Sequence, residues 1–202
     1  MTCGLLFASV AVHVASAVIN LQRVRLIDRV LDHPGTTSID EVLRSDQQVS
    51  DIGLAQLIVL ALTALAFILW FVTTYRALYR RRPNGLRYSP GWAVGGWLVP
   101  FLNLVRPYQM AHDAWFVAEG RIPPRRSRHW GLVRFWWFTW IIANAIRGPG
   151  FGAGDSLEAI RGYALRNVVG DPIGAMAGVL AVAVVITLSG RVIAIAQKLP
   201  AT

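Results

Sequence analysis

Residues 87 to 109 read RYSPGWAVGGWLVPFLNLVRPYQ, and the placement of this stretch decides the fold. Its hydrophobic part, 91 to 105, is too apolar for a loop. As helix, fifteen residues reach about 22 Å, short of the roughly 30 Å of a bilayer core. Pro100 lies inside it, removes a backbone donor and tends to kink or break a helix. Irregular backbone at membrane depth persists only where protein or a water-filled cavity satisfies its polar groups. The stretch is therefore expected to dip into the bilayer and leave on the side it entered, packed among other helices. Gly91, Gly95 and Gly96 would permit close helix approach, Gly91 and Gly95 at the four-residue spacing that brings backbones together in lipid. Trp92 and Trp97 would sit near headgroup level. The alternative is a fifth, thin or tilted span with a proline kink.

The rest of the chain supplies the membrane setting. Of its 202 residues, 54% are hydrophobic and only 15% charged, against about 25% charged in soluble domains. Four apolar runs qualify as spans, at about 3–21, 52–74, 130–146 and 173–196. The first competes with a cleaved signal peptide, since Ala15-Ser16-Ala17 fits a cleavage pattern, but no basic residue precedes it. In the third, Arg134 lies one turn in, close enough to snorkel to the interface. Cys3 is the only cysteine, which excludes an intrachain disulfide.

Charge gives orientation. The net charge is +9, carried by 20 Lys and Arg against 11 acids. If 87–109 enters and leaves on one side, segments 75–90 and 106–134 and the C-terminus share a face. That face holds 13 basic residues and only Asp113 and Glu119, and the other holds seven. A crossing stretch divides them 12 to eight. The positive-inside rule prefers the first division, hence four spans with both termini cytoplasmic.

Smaller signals mark the loops. Ser38-x-x-Glu41 reads as a capping box opening a short amphipathic helix, and Ser156 as the cap of a second, after the Gly-rich 147–154. Both are expected to lie against the outer surface. Residues 107–118, PYQMAHDAWFVA, read as an interfacial helix with Tyr108, Ala111, Ala114, Trp115 and Ala118 inward. Gly170, Gly174 and Gly178 recur every four residues and read as a packing seam without functional content.

The run Ser89-Pro90-Gly91-Trp92-Ala93-Val94-Gly95, with Trp97, Pro100, Asn103-Leu104 and Pro107-Tyr108-Gln109, resembles the signature of a bacterial multi-pass membrane family called domain of unknown function 4328. The similarity covers roughly residues 55 to 195. It departs in having Gly96 where a second aromatic is expected, and Arg106 after Val105 where Lys after Trp is common. The resemblance implies an integral membrane protein and no particular activity.

Chemistry is sparse on this reading. A haem bundle needs axial ligands on facing spans, and His13 is the one histidine deep in a span. Intramembrane aspartyl chemistry needs paired acids, and the four spans contain neither Asp nor Glu. The string Gly152-Ala153-Gly154-Asp155 lies in a loop. Isolated polar residues such as Ser16, Asn20, Thr63, Asn144 and Ser189 ordinarily bond to neighbouring helices or their own backbone. Asn103 is the exception, because Pro100 frees a carbonyl beside it. The chain is thus expected to be an all-α integral membrane helical bundle, one domain over 1–202. It has four transmembrane helices and a central re-entrant or interfacial segment at 90–105. It takes no cofactor, catalyses no reaction and binds no nucleic acid. The expected interaction site is Ser89, Pro90, Gly91, Trp92, Trp97, Pro100, Asn103, Arg106, Pro107 and Tyr108. Arg80, Arg81, Arg82, Arg125, Arg126 and Arg128 would meet anionic lipid headgroups at about 1 kcal/mol each. The expected partners are the lipid bilayer and another membrane protein or a second copy, in a bacterial plasma membrane. The alternative function is a small channel or carrier with its path at the Pro100–Asn103 break.

Overall fold

The computed structural model describes residues 1–121, 131–148, 154 and 156–198, and no strand occurs among them. Six α-helices follow in order: α1 (Thr2–Asp32), α2 (Ile39–Arg81), α3 (Trp92–Leu98), α4 (Arg106–Ala118), α5 (Leu132–Arg147) and α6 (Leu157–Lys198). Short 3-10 turns stand at Pro83–Gly85 and Leu102–Leu104. Helices α1, α2 and α6 are long and apolar enough to cross a membrane. They contain the expected spans 3–21, 52–74 and 173–196. Helix α5 takes most of 130–146, but its 16 residues reach only about 24 Å, below the length that marks a span by itself.

Two expectations are corrected. The helices after Ser38 and Ser156 are not separate surface pieces but the first turns of α2 and α6. Ser38 Oγ accepts the Glu41 N–H at 3.2 Å and Ser156 Oγ accepts the Ala159 N–H at 3.2 Å. Both caps are therefore real, but nothing after them stops the helix. Gly53 stays helical, and so does Pro172, which lies inside α6 even though it leaves the Val168 carbonyl without its helical donor. The stop signals of the α1–α2 turn do work: Gly35 takes φ 90° and Thr36 bonds back to His33 O through both its N–H, at 3.2 Å, and its hydroxyl, at 2.8 Å.

The chain forms two compact units. Unit 2 comprises Phe7–Leu62 and Thr139–Val179. Ion pairs join its helices: Arg23 to Asp46 at 2.7 Å, Arg29 to Glu41 at 3.2 Å and Arg161 to Asp28 at 2.6 Å. Unit 1 comprises Met1–Leu6, Thr63–Phe138 and Leu180–Thr202. Its interior is aromatic, with Phe67, Phe71, Tyr75, Trp136 and Trp137 buried. Phe67 and Trp136 lie 5.4 Å apart and Trp136 and Trp137 5.5 Å apart, at the tilted geometries aromatic pairs prefer. Thr63 and Ser189 bond to neighbouring helices, as expected of isolated polar residues. Thr63 Oγ1 donates to Leu5 O at 3.2 Å, and Trp70 Nε1 donates to Ser189 Oγ at 2.9 Å.

The central stretch is not a rod. Helix α3 ends at Leu98, and Pro100, Phe101 and Leu102 make a γ-turn of the rare positive-φ kind. Phe101 sits at φ 63°, ψ −38°, and the Leu102 N–H bonds to Pro100 O at 2.8 Å; this conformation is strained in any residue but glycine. The glycine expectation holds at Gly96 and is corrected at Gly91 and Gly95. A Cβ on Gly91 would meet nothing within 4 Å and one on Gly95 only Trp92 at 3.7 Å, whereas one on Gly96 would stand 3.1 Å from Arg106 Cβ. Gly96, the residue that departs from the family pattern, is where α4 presses on α3. Because the opposing atom is fixed to backbone, Gly96→Val is expected to cost about 1–3 kcal/mol by overpacking. Gly91→Ala is expected to stay within about 0.5 kcal/mol. Thermal unfolding in detergent checks both, and equal midpoints for the two variants would contradict the packing described.

Candidate functional site

The expected site residues all belong to unit 1, where one buried ion pair organises them. Asp113, on α4, is fully buried, and Arg87 clasps both its oxygens: Nε to Oδ2 at 2.8 Å and Nη2 to Oδ1 at 2.7 Å. Burial opposes the Asp113 charge, but the His112 ring, 3.6 Å away, and the Arg87 guanidinium outweigh it. Its carboxyl therefore titrates below the ordinary carboxylate range. The hydrogen bond to Asp113 correspondingly raises Arg87. Two further bonds lock the same turn: Tyr75 O–H donates to Tyr88 O at 2.9 Å, and Tyr88 O–H to Gln109 Oε1 at 2.6 Å.

On this base the segment is assembled. Arg106 lies over the Tyr88 ring at 4.2 Å and the Trp92 ring at 4.8 Å, cation–π contacts with each. Ser89 and Pro90 offer carbonyls to the Trp92 and Ala93 N–H groups at 3.1 Å each, which starts α3. Pro107 is buried and opens α4, while Tyr108 lies 6.4 Å from Trp137. Trp97 reaches Phe67 at 5.9 Å and Trp137 at 6.0 Å, with its indole N–H buried and unpartnered. Asn103 is half-buried, its N–H bonded to Val99 O at 3.0 Å. Backbone N–H groups meet the carbonyls of Val99, Pro100, Phe101 and Leu102, and Trp137 Nε1 donates to Leu104 O at 3.1 Å. Pro100 and Gly91 are exposed. So are Leu98 at 72% and Phe101 at 85%, at the tip of the break. Of the basic residues, Arg80 is exposed and Arg81 and Arg82 partly so. Arg125, Arg126 and Arg128 lie outside the described residues.

The two ends of this excursion meet. A Cβ on Gly85 would fall 2.7 Å from Val117 Cγ2, and one on Gly120 3.3 Å from Arg82 Nη1. Arg191 of α6 joins them, 2.9 Å from Glu119 and over the Trp115 ring at 4.1 Å. Helix α4 turns its face slightly from the expected one. Ala111, Ala114 and Ala118 are buried, but Met110, Asp113 and Val117 are too, while Tyr108 and Trp115 flank them. A carboxylate was not expected on an inward face; its burial follows from Arg87. Tyr108, His112, Trp115, Phe116 and Arg134 line a cavity of about 60 Å³.

Sequence reading missed a polar cluster in unit 2. Asp171, fully buried inside α6, receives three groups on Oδ1: His13 Nδ1 at 2.9 Å, Gln56 Nε2 at 3.2 Å and Arg147 Nη1 at 3.4 Å. The four expected spans hold no acid, but α6 begins well before residue 173 and carries Asp171 just ahead of the expected span. The glycine repeat was the available signal. A Cβ on Gly170 would lie 2.6 Å from Arg147 Cγ, and one on Gly174 3.2 Å from His13 Cε1 and Nε2. The seam admits polar side chains.

With the geometry in place, a family model for Domain of unknown function (DUF4328) matches residues 34–190. The chain belongs to that family. The match runs from the α1–α2 turn through most of α6 and leaves α1, with His13, outside. Comparison with curated proteins and with solved structures finds no match.

Removing one partner of a buried pair leaves a charge uncompensated. Arg87→Met strands a carboxylate with no exposure and is expected to cost about 3 kcal/mol, the low end for a buried pair because Arg87 is 39% exposed. Asp113→Asn leaves an arginine able to reach solvent and should cost less, about 1–2 kcal/mol. Because the folded Asp113 titrates below its unfolded value, its contribution is complete above about pH 4 and fades as pH falls through the folded value. Chemical unfolding of both variants across pH 3 to 7 checks the order and the sign.

Proposed function

We propose that this DUF4328 protein is a multi-pass component of a bacterial plasma membrane that works through surface contact and not through catalysis. Its broken segment reaches into the lipid, and its termini lie on the cytoplasmic, basic side. The observation that carries this reading is the tip at Leu98–Phe101. Two large apolar side chains stand 72% and 85% exposed, one on a strained residue. A strained turn is maintained by its surroundings where it serves a function, and exposed apolar side chains on such a turn suit an apolar medium.

Support for re-entry comes from the meeting of Arg82 with Gly120 and of Gly85 with Val117, since a stretch that crossed would part its two ends. Helix α5 would then serve as the fourth, short span, with Arg134 snorkelling at its start. Arg80, Arg81 and Arg82 would face anionic headgroups there. Exposed apolar residues along α2, among them Leu54, Leu57, Leu65 and Leu69, fit a helix bathed in acyl chains.

The test uses the full chain in a Cys3→Ser background, carrying Phe101→Cys labelled with an environment-sensitive dye, in vesicles with and without anionic lipid. Quenching by a lipid-borne quencher and none by iodide is the expected result. Iodide quenching would overturn the reading. Protection from both quenchers would assign the tip to a partner protein or a second copy. Cysteines at the exposed positions 84 and 121 should label from one side of intact cells, and labelling from opposite sides would require five spans.

A further inference from the structure

Four helices of unit 2 bring one polar side chain each to a single point: His13 of α1, Gln56 of α2, Arg147 of α5 and Asp171 of α6. Three donors crowd one oxygen of Asp171, while the other, Oδ2, is buried and has no hydrogen-bond partner. An orphaned carboxylate oxygen is costly in an apolar interior. Ionisable groups among apolar helices are rare and mark proton or ion pathways. The crowded side is ambiguous in an informative way. His13 Nδ1 lies 2.9 Å from Asp171 Oδ1, but also 3.3 Å from Arg147 Nη1 and 3.5 Å from Gln56 Nε2. With its proton on Nδ1, the ring donates to the carboxylate, and Arg147 and Gln56 support the carboxylate charge. With Nδ1 bare, its one lone pair accepts a single donor, Arg147 Nη1 or Gln56 Nε2, and the other donor stays with the carboxylate. When the ring keeps its Nε2 proton, the two arrangements differ by one proton, and Nδ1 has a partner in both.

The geometry points to a proton-binding site: we propose that His13 and Asp171 take up one proton as a pair, held in place by Gln56 and Arg147. Asp171 has no exposure, so nothing much larger than a proton can be its ligand. His13 keeps 16% of its side chain accessible and gives the proton a way in. The proton comes from water, which is left as hydroxide, and the pair gains one positive charge; no bond between heavy atoms changes. The charged and titratable groups meeting at Asp171 are His13 and Arg147, and Gln56 is the polar neutral neighbour. Gly170 and Gly174 leave the room in which Arg147 and the His13 ring sit. This site is independent of the lipid-facing tip, and neither proposal requires the other.

The test is nuclear magnetic resonance of the full chain in nanodiscs with ¹⁵N-labelled histidine rings. The four histidines are assigned by removing each in turn with His→Gln. If His13→Gln does not fold, removal of His33, His112 and His129 assigns His13 by elimination. The His13 ring is expected to pass from one protonation state to the other as pH is varied over the range in which the protein stays folded. Gln56→Leu, which takes a donor from the carboxylate, should move that transition by about one pH unit. Arg147 and Asp171 remain in that variant, so a merely structural cluster would unfold or stay unchanged without moving a transition. A His13 ring in one protonation state across the whole range, or a transition indifferent to Gln56→Leu, would overturn the proposal.

Discussion

A carboxylate with no water around it must keep its cation, and in unit 1 that requirement fixes nearly everything the broken segment does. Arg87 can reach Asp113 with both nitrogens only if the chain between α2 and α3 folds onto α4. That turn presents Tyr88, whose hydroxyl is spent on Gln109 and whose ring is one face for Arg106. Arg106 in turn takes Trp92 as the other face and seats α3 against the start of α4 at Gly96. The pair is therefore worth more as a positioning device than as a source of stability, since desolvating two charges offsets much of their attraction. With α3 and α4 held so closely, the chain between them has little length in which to reverse, and the γ-turn at Phe101 carries the remaining strain.

The same logic explains the backbone of the break. In water an interrupted helix can leave its carbonyls to solvent; among apolar side chains it cannot. Here short-range bonds meet the carbonyls from Val99 to Leu102, and the indole N–H of Trp137 meets that of Leu104. That leaves the side chains at the tip free of any structural duty toward the backbone, so their exposure is a property of the turn itself.

Much of this was legible in residues 87–109. A proline within a run too short to cross predicts a break, and the break falls at Pro100. The two serine caps were equally plain. What could not be read was how far each helix continues, because a cap announces a start and only Gly or Pro in a suitable backbone state announces a stop. Pro172 is a stop signal that α6 ignores, and a span counted from 173 left Asp171 just outside the apolar run. The Arg87–Asp113 pair was hidden for another reason. The residues lie 26 apart, and only the reversal at Phe101 brings them together, so no local spacing encodes the contact. Glycine was read correctly as permission for close approach at Gly96, Gly170 and Gly174 but not at Gly91, which faces open space, and the repeat did not reveal that the seam holds an arginine and a histidine.

The two buried aspartates show how hydrogen-bond accounting separates a fixed charge from a poised one. Asp113 has each oxygen engaged by its own nitrogen of one guanidinium, in the planar, bidentate geometry that suits arginine. A proton added there must displace one of those two bonds. Asp171 has three donors on one oxygen and none on the other. Those donors come from four-helix convergence, not from one partner, so no single group fixes the carboxylate's charge. The imidazole at 2.9 Å can stand as donor or acceptor, and the remaining donors serve either state. Full burial is common to both residues. What distinguishes them is that the donors around the first allow one arrangement and those around the second allow two, and two arrangements that differ by a proton are what proton binding requires.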